Sequence, residues 1–93
     1  MSVEFVTGTF EPHVGETFAA TPTYSGQPLE LVLSSVAESP HARPDHPAFS
    51  LFFESSDANP REQQIFTLRH EMLGEFDLFL VPVGPQEYEA VIN

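Results

Sequence analysis

Phe76-Asp77-Leu78-Phe79-Leu80-Val81-Pro82-Val83 is the stretch on which the fold turns. Phe76, Leu78 and Leu80 recur at every second position, the period of a β-strand with one buried face. A helix would scatter the same three side chains around its cylinder, because its period is 3.6. The alternate phase begins with Asp77 but continues with Phe79, Val81 and Val83. A one-sided antiparallel sheet would carry polar residues there. Pro82 brings no backbone N–H, so the strand's end is pushed toward a sheet edge or a bulge. Two explanations of the second apolar phase compete. Either the N-terminal segment covers it, with Phe5 or Phe10 packing on Phe79, or Phe79, Val81 and Val83 form a docking or self-association surface.

The same two-residue rhythm extends in both directions from this strand. Upstream, residues 63–70 place Phe66 and Leu68 inward between Gln64, Thr67 and Arg69, and residues 70–75 turn the chain. Downstream, Gly84-Pro85-Gln86 makes a hairpin turn, and Tyr88, Ala90 and Ile92 alternate with Glu87, Glu89 and Asn93 in a last strand, with Val91 as the apolar exception. Phe49, Leu51 and Phe53 mark another strand. Leu29, Leu31 and Leu33 mark one more, whose phase is broken by Val36, so that a β-bulge is expected at Ser34-Ser35. A short strand over Glu16–Thr21 points Phe18 inward. Before it, Thr9 is placed to cap a helical turn over Phe10 to Val14, which Gly15 ends. Residues 39–47 carry three prolines and no aliphatic larger than alanine, and read as a loop. The expected architecture is all-β: a single domain over residues 1–93, a small antiparallel β-sandwich or barrel of about six strands with one short N-terminal helical turn.

Charge narrows the field of functions. Fourteen carboxylates face three arginines (Arg43, Arg61, Arg69) and no lysine, a formal net charge of −11. Binding to nucleic-acid phosphate or to an anionic membrane is electrostatically disfavoured, and a partner with a basic face is favoured. With no cysteine in the chain, disulfides and thiolate metal sites are excluded. The segment Met1–Phe10 has neither the basic nor the long apolar region of a signal peptide, and no stretch is long and apolar enough to span a bilayer. These features favour a cytoplasmic protein or one carried in an exported assembly.

No catalytic constellation emerges. His41 and His46, with Asp45 between them, offer at most three ligands on a proline-rich loop without a metal-binding spacing, so no cofactor is expected. His70, at a strand end beside Glu71, reads as a turn histidine hydrogen-bonded to backbone. Ser34-Ser35 and Ser55-Ser56 lack a strand–nucleophile–helix elbow. Glu87 and Glu89 read as a solvated strand face. The five glycines are scattered through turns and form no phosphate loop.

Three segments do resemble a known group. The run Thr9-Phe10-Glu11-Pro12-His13-Val14-Gly15-Glu16-Thr17-Phe18, the run from Leu73 through Val83 and the ending Tyr88-Glu89-Ala90-Val91-Ile92-Asn93 are similar to short bacterial proteins known as a domain of unknown function. Members of that group stand beside phage-tail-collar-like, microcystin-dependent-type proteins. The resemblance implies a small accessory or structural partner of tail-like or surface-fibre proteins, and transfers no catalytic residue. Expected, then, is a non-enzymatic interaction protein working through Phe79, Val81 and Val83. The alternatives are an acidic mimic of nucleic acid, and a small-ligand binder that uses a barrel interior with His70 or Tyr88 as its polar handle.

Overall fold

In the computed structural model, which describes residues 4–24, 26–40, 43, 48–56 and 62–92, the alternating segments are six antiparallel strands. They are β1 (Thr17–Pro22), β2 (Leu29–Glu38), β3 (Phe49–Ser55), β4 (Gln64–His70), β5 (Gly74–Pro82) and β6 (Glu87–Ile92). The strand order β1-β2-β3-β6-β5-β4 closes into a barrel. It consists of two three-stranded meanders joined edge to edge, β3 to β6 along Phe49↔Ile92 to Glu54↔Glu87, and β1 to β4 along Ala19↔Arg69 to Pro22↔Phe66. Closure gives each meander a partner for its outer strands, so neither presents a free edge there.

Alternation sorts side chains cleanly between interior and wall. Phe18 and Ala20 of β1, Leu31 and Leu33 of β2, Leu51 and Phe53 of β3, Phe66 and Leu68 of β4, Leu78 and Leu80 of β5, and Tyr88 and Ala90 of β6 are all buried. The expected bulge is present: the β2–β3 register slips between Leu33 and Ser35. There the Ser34 hydroxyl donates to the Phe52 carbonyl at 3.0 Å, supplying a bond at the point where the ladder is disturbed.

The meander β4–β5–β6 is asymmetric. β4 and β5 pair from Gln64↔Leu80 to His70↔Gly74, whereas β5 and β6 pair at Val81↔Glu89 and Pro82↔Tyr88. Pro82 thus sits at the short closing ladder, near the strand end where its missing N–H costs least. Beyond that ladder, at the end of the barrel where β5 begins, the N-terminal segment supplies Phe10. A helical turn α1 (Thr7–Phe10) leads into a 3₁₀ turn over Glu11–His13. Phe10 is fully buried, with its ring 5.8 Å from Phe76 and 6.1 Å from Phe49. Phe5 stacks behind it at 6.1 Å and also meets Phe76 edge-on at 6.1 Å. Edge-to-face aromatic pairs at such spacings add to the gain from burial.

Two expectations need correction here. The helical turn begins at Thr7 rather than Phe10 and has no side-chain cap from Thr9; its position is set by the burial of Phe10, the residue that contributes most to it. Phe5 and Phe10 do not cover Phe79. They pack on Phe76, on the inward phase of β5, because they close the end of the barrel and not its outer wall. Gly15 does end the N-terminal turn, at a φ of 92° that favours glycine. Its N–H donates to the Leu33 carbonyl at 2.7 Å, which delivers the chain into β1 beside β2.

Two expectations about stability arise from this packing. Phe10→Ala removes a fully buried ring that three others touch, and is expected to lower stability by about 3–5 kcal/mol, read from the shift in urea midpoint. Tyr88 is also fully buried, its ring 5.9 Å from Phe66, but its hydroxyl has no hydrogen-bond partner among the described residues and burial raises its pKa. Tyr88→Phe is therefore expected to be neutral or stabilising in the same measurement, since it removes a desolvated hydroxyl and no bond.

Candidate functional site

The side chains singled out from the sequence lie on the outer wall of the barrel. Phe79 is 49% exposed and Val83 48%, while Val81 is half-buried. Ile65, 47% exposed, stands directly across from Phe79 in the β4–β5 register. On β6, Tyr88 and Ala90 point inward, so Glu89 and Val91 point outward; Val91 is 57% exposed. The pair Val81↔Glu89 puts Val91 and Phe79 on the same wall, each two residues beyond that pair, on either side of the β5–β6 seam. Ile65, Phe79, Val81 and Val91 thus form an apolar strip across three strands. Val91 was legible as the apolar exception in its strand. Ile65 was not, because a single β-branched residue on the polar phase of β4 carries no signal until the register names its neighbour.

Carboxylates border the strip. Asp77, two residues before Phe79, accepts a hydrogen bond from Thr67 Oγ1 at 2.8 Å. Glu89, opposite Val81, accepts one from Ser50 Oγ at 2.7 Å. These bonds fix both acids at the rim. Further along the same wall, Glu75 pairs with Arg69, so that arginine's charge is already engaged.

A second cluster lies at the end of the barrel beside the N-terminal turns. Counting back two from Phe18 reaches Glu16, just before β1 and exposed to solvent, and counting on two from Leu68 reaches His70, on the inward phase of β4. His70 is buried at 5% exposure, with its ring 4.6 Å from Phe18 and 4.6 Å from His13. His70 Nε2 lies 2.6 Å from Glu16 Oε1, and His13 Nδ1 lies 2.9 Å from the same oxygen. His70 Nδ1 accepts hydrogen bonds from the backbone N–H of Met72 at 3.1 Å and of Leu73 at 3.2 Å. The backbone bonding expected of a turn histidine is thus present. What sequence reading missed is the partnership with Glu16 and His13, because the residues come from distant segments. The inward phase at position 70 was the available signal.

Proton positions follow from this geometry. A ring nitrogen that accepts two N–H groups carries no proton, so the proton of His70 sits on Nε2 and is donated to Glu16. Three side chains gathered this closely, two histidines and a carboxylate, are of the type that holds transition metals. The second shell has the wrong polarity for that. A histidine bound through Nε2 ordinarily donates its Nδ1–H outward, whereas here Nδ1 faces two donors, and a metal at Nε2 would require an imidazolate. The cluster shares protons around one carboxylate oxygen. Hydrogen bonds from His13 and then His70 hold the Glu16 carboxyl below its ordinary value of 4.5, against a smaller opposing effect of desolvation.

Other candidates divide between the wall, the interior and positions beyond the described residues. His41, Asp45 and His46 lie outside the described residues. Tyr88 is inside the barrel, and His70 is committed to Glu16 and to the turn, so the two do not converge as handles on one ligand. His70 also borders a shallow groove of about 670 Å³ on the wall, lined with Thr17, Ala19, Glu30, Arg69 and Glu71. Among the described residues, no helix is long and apolar enough to cross a membrane.

Taken together, the chain is a small closed antiparallel barrel of two joined meanders with an aromatic N-terminal plug. Residues 6–92 match the model of one family, the Domain of unknown function (DUF6916), and the chain belongs to that family. No curated protein and no solved structure matches it.

The lowered pKa of Glu16 has a consequence for acid stability. A carboxyl whose folded value lies below its unfolded value stabilises the fold above the unfolded value, and loses that contribution as the pH falls through the folded one. The stability difference between the wild type and Glu16→Gln is therefore expected to shrink as the pH falls below 4.5 and through the folded value, read as urea midpoints across an acid pH series.

Proposed function

We propose that this protein is a non-enzymatic interaction module that docks a partner protein through the strip of Ile65, Phe79, Val81 and Val91, with Val83 at its end. The observation carrying this reading is that Phe79 and its cross-strand neighbour Ile65 are both about half exposed on a wall where alternation reserves polar residues. Contiguous exposed apolar side chains with a polar border are the usual composition of a docking surface.

Charge selects the occupant. The strip is rimmed by Asp77 and Glu89 on a chain of net charge −11. Two copies meeting face to face would bring like charges together around an apolar centre, which is costly. A partner whose apolar contact is flanked by lysine or arginine meets the same rim favourably and associates faster at low salt. The resemblance noted in the sequence supports a place for the module as an accessory of a tail-like or surface-fibre assembly.

Phe79→Ser tests this reading, because the side chain is on the wall and its loss leaves the barrel core intact. The variant is expected to melt within a few degrees of the wild type. It should also lose at least about tenfold in affinity for a synthetic extended peptide of alternating valine and arginine, measured by fluorescence anisotropy at fixed salt. A valine–glutamate peptide is expected not to bind. Equal binding of the cationic peptide by wild type and Phe79→Ser would show attraction by net charge alone and dismiss the strip as a docking site. A wild-type dimer in light scattering that Phe79→Ser dissolves would replace the basic partner with a second copy.

A further inference from the structure

We propose that His70 is a proton-operated latch on the turn between β4 and β5. At rest its Nδ1 is the acceptor that holds the Met72 and Leu73 amides, at 3.1 and 3.2 Å, and its Nε2–H is donated to Glu16 at 2.6 Å. Since Nε2 already carries hydrogen, the only site for an added proton is Nδ1. Protonation there converts the acceptor into a donor that points at two other donors. The turn loses both of its side-chain bonds in a single event.

The same proton strengthens the other side of the ring. The imidazolium makes a charge-assisted bond to the Glu16 carboxylate, so the ring stays anchored to the head of β1 while the turn lets go. The movement is thus confined to residues 71–73. Leu73 is packed against the core and Met72 is exposed, so release frees Leu73 from its apolar contacts and opens the rim of the wall groove at Glu71 and Gly74.

The surroundings of the ring show the competing influences. Glu16, just before β1, sets a carboxylate against it. His13 faces it from the 3₁₀ turn at 4.6 Å between ring centres, and shares the same Glu16 oxygen. Phe18 covers a ring face from β1 and offers no charge. Around the adjoining groove stand Glu30 of β2, Glu71 of the turn and the Arg69–Glu75 pair of β4 and β5. The Met72 and Leu73 amides face its other nitrogen from the turn. The ring is placed where a single protonation trades a backbone anchor for an ion pair, the arrangement from which histidine switches are made.

Nitrogen-detected NMR of the histidine rings, together with amide exchange protection factors for Met72 and Leu73 in the intact protein between pH 8 and pH 5, tests the latch. The expected result is an Nε2–H tautomer for His70 at pH 8, followed by a fall of about tenfold in protection at both amides with the same midpoint as ring protonation. Protection in the β3–β6 ladder should remain unchanged over that range. In His70→Asn, a side-chain oxygen stands near the former Nδ1 and takes up no proton, so its turn amides should be protected independently of pH. Should that variant fail to fold, the wild-type measurements decide alone. A proton on Nδ1 at pH 8, a ring that titrates without loss of amide protection, or a ring that takes up no proton before the whole domain unfolds would each overturn the proposal.

Discussion

The short ladder between β5 and β6 is the constraint on which the rest of the structure depends. A barrel of two meanders needs every neighbouring pair of strands to meet, yet here the last pair meets only around Val81 and Pro82. Past that point, β5 and β6 form no further register pairs among the described residues. At the nearby end of the barrel Phe10 serves as a plug, its ring between Phe76 of β5 and Phe49 of β3, with Phe5 behind it. The N-terminal turns thus plug the end of the barrel beside the short ladder without joining its wall. Gly15, Glu16 and His13 exist in their observed geometry because the chain must leave that plug and enter β1 within a few residues.

This constraint also separates the two candidate sites. At the plugged end, the buried ring of His70 meets the solvent-exposed carboxylate of Glu16, and the two turn amides fix the tautomer of the ring. On the wall, Phe79 and Val91 flank the seam and are about half exposed, and the result is an apolar strip with carboxylates at its edge. One site is thus a polar cluster around a single buried imidazole, the other an apolar strip on the wall. Few small barrels could host both features without a break of this kind in their hydrogen-bonded circumference.

Much of the fold was legible because a two-residue period cannot be disguised. Phe49, Leu51 and Phe53 or Phe76, Leu78 and Leu80 admit no other reading, and the bulge after Leu33 announced itself as a phase slip at Val36. What sequence reading could not supply was pairing. Whether sandwich or barrel, the strands would look the same locally; the choice lies in β1 meeting β4 and β3 meeting β6, which are contacts between remote segments. The same limit hid the cluster. Position 70 belongs to an inward phase, but only the β1–β4 ladder brings the carboxylate at position 16 to its imidazole. Phe79 was recognised as anomalous for a sound reason, whereas its supposed cover was misassigned, because aromatic residues near a chain's start fit an open barrel end as readily as a wall.

The joining of the two meanders has a kinetic corollary. Each meander is assembled from hairpins that a growing chain can sample early, but both circumferential joints require segments that are far apart in the polypeptide. The β3–β6 joint uses Glu87 through Ile92, the sixth strand in order of synthesis. Until those residues have left the ribosome, Phe49, Leu51 and Phe53 line an unfinished sheet whose exposed edge invites pairing with other nascent chains. The chain's abundant negative charge would keep such half-built copies apart during translation.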